Sequence, residues 1–178
     1  FAVLDGPDFE MPELKFPLIV KPKNEAVSFG IQICRTEKEL RDAADVIFKE
    51  FSQPVLVEQY IAGREINVGI LGNNPPEALP PAEIIFDETA PQIYTYEDKT
   101  RKSGREIGVV CPAKIDGELA ERAQDVAKRA FHVLGCLDCA RVDMRLDDEG
   151  TLYILEVNSL PSLGEHGSYL VGAKQIGL

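Results

Sequence analysis

The chain has 178 residues, 44% of them hydrophobic and 28% charged, which suits one globular domain or two small lobes. Its net charge of -11 at pH 7 argues against nucleic-acid and membrane partners, because phosphate-rich surfaces need a basic patch. No run approaches the roughly 18–20 apolar residues of a membrane span. Four cysteines without a disulfide pattern fit a reducing compartment, so we expect a cytoplasmic protein. Because the chain opens at Phe1, we also expect a fragment.

The first third of the chain contains two short strands, a polar loop and a helix. Leu18–Val20 is a short apolar strand, and Lys21 at its end is either a surface lysine or a phosphate contact. Residues 24–30 form a loop of small residues whose backbone N–H groups suit an anion, although one glycine is a weak signal. Thr36 begins a capping box and predicts the start of a helix with one apolar face.

The middle of the chain alternates strands with polar segments. Val55–Val57, Ile66–Leu71 and Ala82–Phe86 are predicted strands. Residues 94–108 are polar and punctuated by glycine, and they hold a basic cluster in an acidic protein. This run is either a solvated loop or a lid that brings positive charge to a phosphate and excludes water. The cluster consists of Lys99, Arg101, Lys102 and Arg105.

A long helix follows, which we expect to be capped by Asp116 and to end at Gly135. Just after it, Cys136 and Cys139 have the spacing of a zinc or redox half-site. A zinc site would need a second pair of ligands, which the sequence does not supply. We therefore favour two buried structural cysteines at this position.

The most informative stretch is a predicted β-hairpin, because residues 140–146 alternate strictly between apolar and charged side chains. A four-residue turn would pair Leu146 with Thr151, so that Arg141 faces Glu156 and Asp143 lies diagonal to Glu156. Diagonal neighbours are roughly 7–8 Å apart, which lets two carboxylates share one cation. The alternative is an ordinary solvated face. We favour the cation because Glu156 ends an apolar run, where an unpaired carboxylate is costly to bury.

The same residues resemble the metal-binding core of the ATP-grasp ligases, and most closely that of the D-alanine–D-alanine ligases. The matching motifs are Ala140-Arg-Val-Asp-Met and Gly150-Thr-Leu-Tyr-Ile-Leu-Glu-Val-Asn-Ser-Leu-Pro161. The resemblance implies an α+β ATP-grasp fold of two α+β lobes with the nucleotide bound between them. Residues 1–60 would form the central lobe and residues 61–178 the C-terminal lobe, with the lid and the metal-binding hairpin. The family's N-terminal lobe would be absent.

The resemblance also assigns roles to individual residues. Two Mg²⁺ ions, or Mn²⁺ in their place, would be held by Asp143, Glu156 and Asn158, and the catalytic group would be Arg141, Lys99 and Ser28. ATP would be bound by Lys21, Glu58, Gln59, Ile61, Glu65 and Lys99. The reaction implied is ATP-dependent amide formation between amino acids through an acyl phosphate. A homodimer of the full-length protein would be compatible with this assignment.

Three departures from the family pattern lie on the substrate side. A serine and a tyrosine of the family are replaced by Val27 and Thr100. The resemblance implies that the loop from Asn158 to Ser168 binds the second amino acid, and here this loop shifts the register of the serine at Ser168. We therefore expect retained nucleotide chemistry with altered amino-acid specificity, and no activity from this fragment alone. The alternatives are a nucleotide-binding module without turnover and a plain structural domain.

Overall fold

The computed structural model describes residues 1–25, 28–87, 92–99 and 102–178, and the side chain of Lys99 lies outside the described atoms. Within these ranges the chain mixes antiparallel sheets with helices, so the predicted α+β class is confirmed. The chain forms two compact units, one of residues 1–60 and 93–105, the other of residues 61–92 and 106–178. Residues 93–105, which the sequence-based division placed in the C-terminal lobe, thus lie in the first unit.

The first unit is a four-stranded antiparallel sheet in the order β1-β4-β2-β3, with one face covered by helix α1. Thr36 caps α1 as predicted, because its side chain accepts a hydrogen bond from the Glu39 N–H. The elements of this unit are β1 (Ala2–Leu4), β2 (Leu18–Pro22), β3 (Gln32–Cys34), α1 (Glu37–Glu50), β4 (Val55–Gln59) and α2 (Tyr96–Lys99).

Alternation along the strands builds the core of this unit. Leu18 and Val20 of β2 are fully buried, while Lys21 points to the other face of the sheet. Each fully buried aliphatic side chain contributes about 1.5–3 kcal/mol relative to exposure. The helix presents its apolar stripe to the same core, with Leu40, Ala43, Ala44 and Ile47 buried.

The second unit is a larger antiparallel sheet in the order β10-β9-β5-β7-β8, with β6 paired to β5. The predicted helix cap Asp116 and helix stop Gly135 are both confirmed, the latter by its φ of 64°. The elements are β5 (Arg64–Leu71), β6 (Glu77–Ala78), β7 (Ala82–Ile85), β8 (Gly108–Val110), α3 (Gly117–Val133), β9 (Cys139–Leu146), β10 (Leu152–Asn158) and α4 (Ser168–Gln175).

The two faces of this sheet differ in chemistry. Helix α3 packs on the face formed by the apolar residues of β5 and β9, including Val68, Val142 and Met144. The opposite face carries the charged residues of β9 and the residues of β5 that lie beside them. The sequence alternation of residues 140–146 is therefore the alternation of the folded strand, and it leaves one polar face for a site.

No helix among the described residues is both long and apolar enough to span a membrane.

Candidate functional site

The hairpin of β9 and β10 brings the predicted metal-binding residues together, but in a different register from the one predicted. Leu146 pairs with Leu152 rather than with Thr151, so the four-residue turn was wrong. The Asp147 carboxylate accepts hydrogen bonds from the N–H groups of Glu149 and Thr151, at 3.0 and 2.7 Å. These bonds hold a turn that is one residue longer than the sequence pattern predicts.

A second irregularity compensates for the longer turn. In a regular ladder from Leu152 onward, Leu155 would face Asp143 and Glu156 would fall on the α3 side. The register instead shifts between Ile154 and Glu156, as at a β-bulge. Glu156 therefore lies directly opposite Asp143, not diagonal to it, and Asn158 lies opposite Arg141. The predicted residues share one face because the two one-residue shifts add up to two residues, which is one full side-chain period of a strand.

These side chains form a connected network on the polar face, which we call the carboxylate cluster: Arg141, Asp143, Glu156 and Asn158. Arg141 binds Asp143 with two hydrogen bonds, Nε to Oδ1 at 2.6 Å and Nη2 to Oδ2 at 2.7 Å. Asn158 Nδ2 donates to Asp143 Oδ2 at 3.0 Å and to Glu156 Oε1 at 3.2 Å. Asp143 therefore accepts three hydrogen bonds from two neighbours.

Burial and charge in the cluster act against each other. The pKa of the Asp143 carboxyl is raised because the group is buried, and the nearby Glu156 charge adds to the rise while Arg141 opposes it. The pKa of the Arg141 guanidinium is raised despite its burial, because it is bonded to Asp143 and lies in the field of Glu156 and Glu65. Such a pair of acidic groups, held by one cation, has the charge balance of a site that can accept a further cation.

The residues fit a hard cation by donor type. Asp143 and Glu156 supply carboxylate oxygens on facing positions, and an amide rotation would turn the Asn158 Oδ1 toward them in place of Nδ2. Among the described residues there is no group of three or more His, Cys, Asp or Glu side chains that could hold a metal ion. The candidate ligand set is therefore two carboxylates and one amide. The guanidinium of Arg141 neutralises the Asp143 charge in this structure, the role that a bound metal cation would also have.

The prediction that Glu156 is buried at the end of an apolar run was wrong. Glu156 is exposed, and the apolar run before it is also largely exposed, with Ile154 at 48% and Leu155 at 46%. Strand β10 is the edge of the sheet, so this stretch lacks a covering strand on one side within the described residues. The placement of Glu156 rests on its strand register and its bond to Asn158 instead.

Glu65 of β5 lies on the polar face, two strands from Glu156 of β10. It is held by an arginine that was not among the predicted site residues. Arg145 is opposite Glu65 in the ladder, and its Nη1 is 3.8 Å from Glu65 Oε2. The same guanidinium donates to the carbonyl oxygens of Ile61, Gly63 and Gln92, at 3.1, 2.8 and 2.9 Å. Arg145 therefore ties the segment before β5, including the predicted nucleotide-contacting Ile61, to β9. Its place two residues after Asp143 was the available sequence signal.

In the first unit, two of the predicted nucleotide-binding residues contact each other. Lys21 of β2 and Glu58 of β4 form an ion pair on the face of the sheet away from α1, and each side chain is about one-third exposed (33% and 35%). An exposed pair of this kind contributes little stability and can separate for a ligand at small cost. The side-chain Nε2 of Gln59 donates to the carbonyl oxygen of Lys15 at 2.7 Å, so this nitrogen is already engaged within the unit.

The remaining predictions in this unit concern the loop after β2 and the lid. Ser28 adopts a φ of 60°, and its carbonyl oxygen accepts from the Ile31 N–H. Val27, Thr100 and Arg101 lie outside the described residues, as does the side chain of Lys99. Phe29 packs against both Phe51 and Tyr96, with ring centroids 5.0 and 4.7 Å apart.

Arg105 does not belong with the solvated charges of the predicted basic cluster. Its Nη1 lies 3.1 Å from Asp98 Oδ2, and the Asp98 side chain is fully buried. Asp98 also accepts from the N–H and hydroxyl of Thr95, which caps helix α2. Burial alone would raise the pKa of Asp98, but these hydrogen bonds and the Arg105 charge hold it below its usual value. Arg105 is thus engaged with a buried carboxylate of its own segment, unlike the solvated charge predicted for it.

The four cysteines are all free thiols, and Cys136 and Cys139 stay predicted structural residues. Both are partly buried rather than fully buried as predicted. Cys136 packs against the α3 core and Cys139 against the cluster around Tyr169.

Comparison with known proteins identifies relatives of the whole fold. Residues 8–178 match the family described as D-ala D-ala ligase C-terminus. The D-alanine–D-alanine ligase of Streptococcus thermophilus is 32% identical over 98% of this chain and 50% of its own length.

Solved structures of ligases from the same family have a similar fold. The VanG D-Ala:D-Ser ligase of Enterococcus faecalis superposes with a TM-score of 0.79 at 30% identity, over 93% of this chain and 47% of that one. The D-alanine–D-alanine ligase of Bacillus anthracis complexed with ATP gives 0.76 at 27% identity, over 99% and 54%. The chain therefore spans about half the length of the proteins it matches.

Proposed function

We propose a function from one premise: the chain belongs to the family of D-alanine–D-alanine ligase C-terminal domains, with the ATP-grasp fold. The proposed function is the ATP-binding part of a ligase that forms an amide bond between two amino acids. In this reaction a carboxylate oxygen attacks the γ-phosphorus of ATP, the bond from that phosphorus to ADP breaks, and the products are an acyl phosphate and ADP. The amine of the second amino acid then displaces phosphate, so that one C–O bond is exchanged for one C–N bond.

The observation that carries the proposal is the carboxylate cluster. Asp143 and Glu156 face each other across β9 and β10, with Asn158 bonded to both. These three residues would hold Mg²⁺, or Mn²⁺, and the ion would neutralise charge on the triphosphate when bound. Donor type and register both support this assignment, and the ATP bound to the Bacillus anthracis relative supports ATP as the nucleotide.

The chain's own cations would position the reactants and stabilise charge. A guanidinium has five N–H donors, and the bonds from Arg141 to Asp143 use two of them, which leaves donors for a substrate oxyanion. Lys21, now paired with Glu58, would turn to the phosphates, and Lys99 of the lid would join it. Ser28 would contribute at the loop after β2. Phosphoryl transfer depends on positioning and charge stabilisation of this kind more than on covalent catalysis.

Glu65, Gln59 and Ile61 would bind the nucleoside. Glu65 is held by Arg145 beside the polar face, where its carboxylate would accept hydrogen bonds from ribose hydroxyls. The adenine would meet the backbone at Gln59 and Ile61. Because the Ile61 carbonyl already accepts from Arg145, its position is fixed before any nucleotide arrives.

Amino-acid specificity is proposed to differ from that of a strict D-alanine ligase. The Enterococcus faecalis relative is a D-Ala:D-Ser ligase, so members of this fold accept more than one second amino acid. In this chain Val27 and Thr100 replace polar residues of the family pattern, and the hydroxyl of Ser168 accepts a hydrogen bond from Asn67 at 3.1 Å. These changes lie on the substrate side and leave the nucleotide residues in place.

The test uses the full-length protein that carries this chain, incubated with ATP, Mg²⁺ and a panel of D- and L-amino acids. Phosphate release and dipeptide mass are measured together. We expect release that depends on two amino acids, loss of at least 100-fold in Asp143→Asn, and little change in the turn control Asp148→Asn. If D-alanine as the only amino acid gives the highest turnover, the proposal of altered specificity is contradicted. If no pair of amino acids gives an amide product, the ligase proposal is contradicted.

A nucleotide-binding module without turnover is the second candidate. It is favoured by one observation: Arg141 and Asn158 donate hydrogen bonds to both carboxylate oxygens of Asp143. If that network never opens, ATP binds and is not consumed. Mg²⁺-dependent ATP binding without phosphate release, in the same assay, would favour this candidate.

A further inference from the structure

Asn67 is a buried polar residue with no role in the function proposed so far. It lies in the middle of β5, it is 4% exposed, and its ladder partner in β9 is Asp143. Its Nδ2 donates to the hydroxyl of Ser168 at 3.1 Å, and Ser168 is the first residue of helix α4 and is itself 7% exposed. The side chain therefore joins the start of α4 to the strand position beside the carboxylate cluster.

Two further contacts fix the same end of the helix. The hydroxyl of Tyr169 donates to the carbonyl oxygen of Ile70 at 3.1 Å. The Tyr169 ring lies over Gly69, where an added Cβ would be 2.9 Å from Tyr169 Cδ2 and 2.7 Å from Leu79 Cδ1. Because only a glycine leaves room for this approach, helix α4 sits on β5 along three consecutive contact points.

These contacts determine where the preceding loop can lie. Residues 159–167 connect Asn158 of the carboxylate cluster to Ser168 of α4, so both ends of the loop are held on the same polar face. Asn67 and Asp143, the two strand residues that hold them, are direct neighbours across the ladder. The loop returns to the place from which it starts.

The loop has little packing of its own. Its large apolar side chains Leu160 and Leu163 are 90% and 65% exposed, although Pro161 is buried. Its internal hydrogen bonds are short-range, from Gly164 N to Ser162 Oγ and from Gly167 N to Gly164 O. Loop position is thus set mainly by the two anchored ends.

We infer that Asn67 is a positioning residue for the second amino acid: through Ser168 it holds the loop 159–167 at a fixed distance from the carboxylate cluster. This inference rests on the proposed ligase function. Asn67 touches neither reactant; it acts through the loop. Its net contribution to stability is small, because a single hydrogen bond largely replaces one made to water in the unfolded chain, and Asn67 Oδ1 has no hydrogen-bond partner within the described part of the chain.

The experiment compares Asn67→Ala with Gln124→Ala in the full-length protein. Gln124 is the control for the loss of a side-chain amide bond in this unit, because its Nε2 also donates to backbone carbonyls, those of Ala78 and Leu79. Two quantities are measured: amide hydrogen exchange of residues 159–167, and KM for each amino acid with D-alanine and D-serine as acceptors. Ser168→Ala breaks the same bond from the helix side, and its loop exchange is the readout if Asn67→Ala fails to fold.

In Asn67→Ala we expect at least tenfold faster exchange in the loop and at least a tenfold higher KM for the acceptor. The KM for ATP and kcat should stay within about threefold, and Gln124→Ala should change neither readout. Unchanged loop exchange and unchanged acceptor KM would overturn the inference. Faster loop exchange in a protein whose wild type makes no amide would support the positioning role and refute the ligase proposal instead.

Discussion

The strongest prediction concerns the buried ion pair at the centre of the carboxylate cluster, tested by Arg141→Met. Methionine keeps the apolar stem of the side chain and removes the charge. The side chains of Arg141 and Asp143 are 16% and 8% exposed, so solvent cannot replace the two lost hydrogen bonds. Removing one partner of a buried pair leaves the other uncompensated, which costs about 3–5 kcal/mol. We expect a loss of free energy of unfolding of this size at pH 8.

The loss should depend on pH in a defined direction. The pKa of Asp143 is already raised by burial, and it rises further when Arg141 is removed. A carboxyl whose folded-state pKa is raised is protonated in the folded state at pH values where the unfolded state is charged. The destabilisation by the charged Asp143 carboxylate is therefore absent below the pKa of the unfolded state and grows as pH rises through the pKa of the folded state. Arg141→Met should lose less stability at pH 5 than at pH 8.

Urea denaturation followed by circular dichroism measures both quantities, with Arg122→Met as the control. Arg122 is exposed and makes one hydrogen bond to the Gly150 carbonyl oxygen, so its replacement should change stability by no more than about 0.5 kcal/mol. A loss below about 1 kcal/mol for Arg141→Met, or a loss that is equal at both pH values, would refute the electrostatic account of the cluster.

Three further predictions concern the rest of the fold. Burial raises the pKa of Cys34 to about 11, so the free energy of unfolding should fall by at most about 2–3 kcal/mol between pH 9 and 11, and Cys34→Ala should remove that slope in urea titrations at each pH. Gly69→Ala should lower the free energy of unfolding by about 1–3 kcal/mol in the same assay, because its Cβ would displace Tyr169 or Leu79; an unchanged midpoint would contradict the close packing. The pKa of Asp98 is held low, so the stabilisation by its charge is present above the pKa of the unfolded state and disappears as pH falls through the pKa of the folded state. Asp98→Asn should therefore reduce the dependence of the thermal midpoint on pH between pH 5 and 3. A midpoint that still falls with pH as in the wild type would contradict this.

Local patterns predicted the elements of the fold well because each depends on neighbouring residues. The side chains of Thr36 and Asp116 cap the helices that follow them, and Gly135 adopts the left-handed conformation that ends α3. The alternation of residues 140–146 needed no distant contact to be read correctly. Such features are fixed by period and by capping chemistry within a few residues.

The register of the hairpin could not be read in the same way. It depends on the Asp147 side chain, which lengthens the turn, and on the irregularity near Leu155, which restores the face. Either change alone would have moved Glu156 to the other side of the sheet. Together they shift the register by two residues, which keeps Glu156 on the predicted face although its partner is Asp143 and not Arg141.

Arg145 and Asn67 were missed for a related reason. Each acts through groups far away in the chain: Arg145 through carbonyl oxygens near residue 61, and Asn67 through Ser168. A lone buried arginine or asparagine in a strand gives no local pattern that names its partner. Their roles appear only when the polar face of the sheet is assembled from β5, β9 and the loop after β10.

The most direct test of the central claim is calorimetric titration of ATP into the protein with and without Mg²⁺, comparing Glu156→Gln with Glu149→Gln. Glu149 is an exposed acid in the turn of the same hairpin and serves as the control. The account predicts Mg²⁺-dependent ATP binding that is weakened at least tenfold by Glu156→Gln and left within twofold by Glu149→Gln. Equal binding by both variants, or binding indifferent to Mg²⁺, would contradict it.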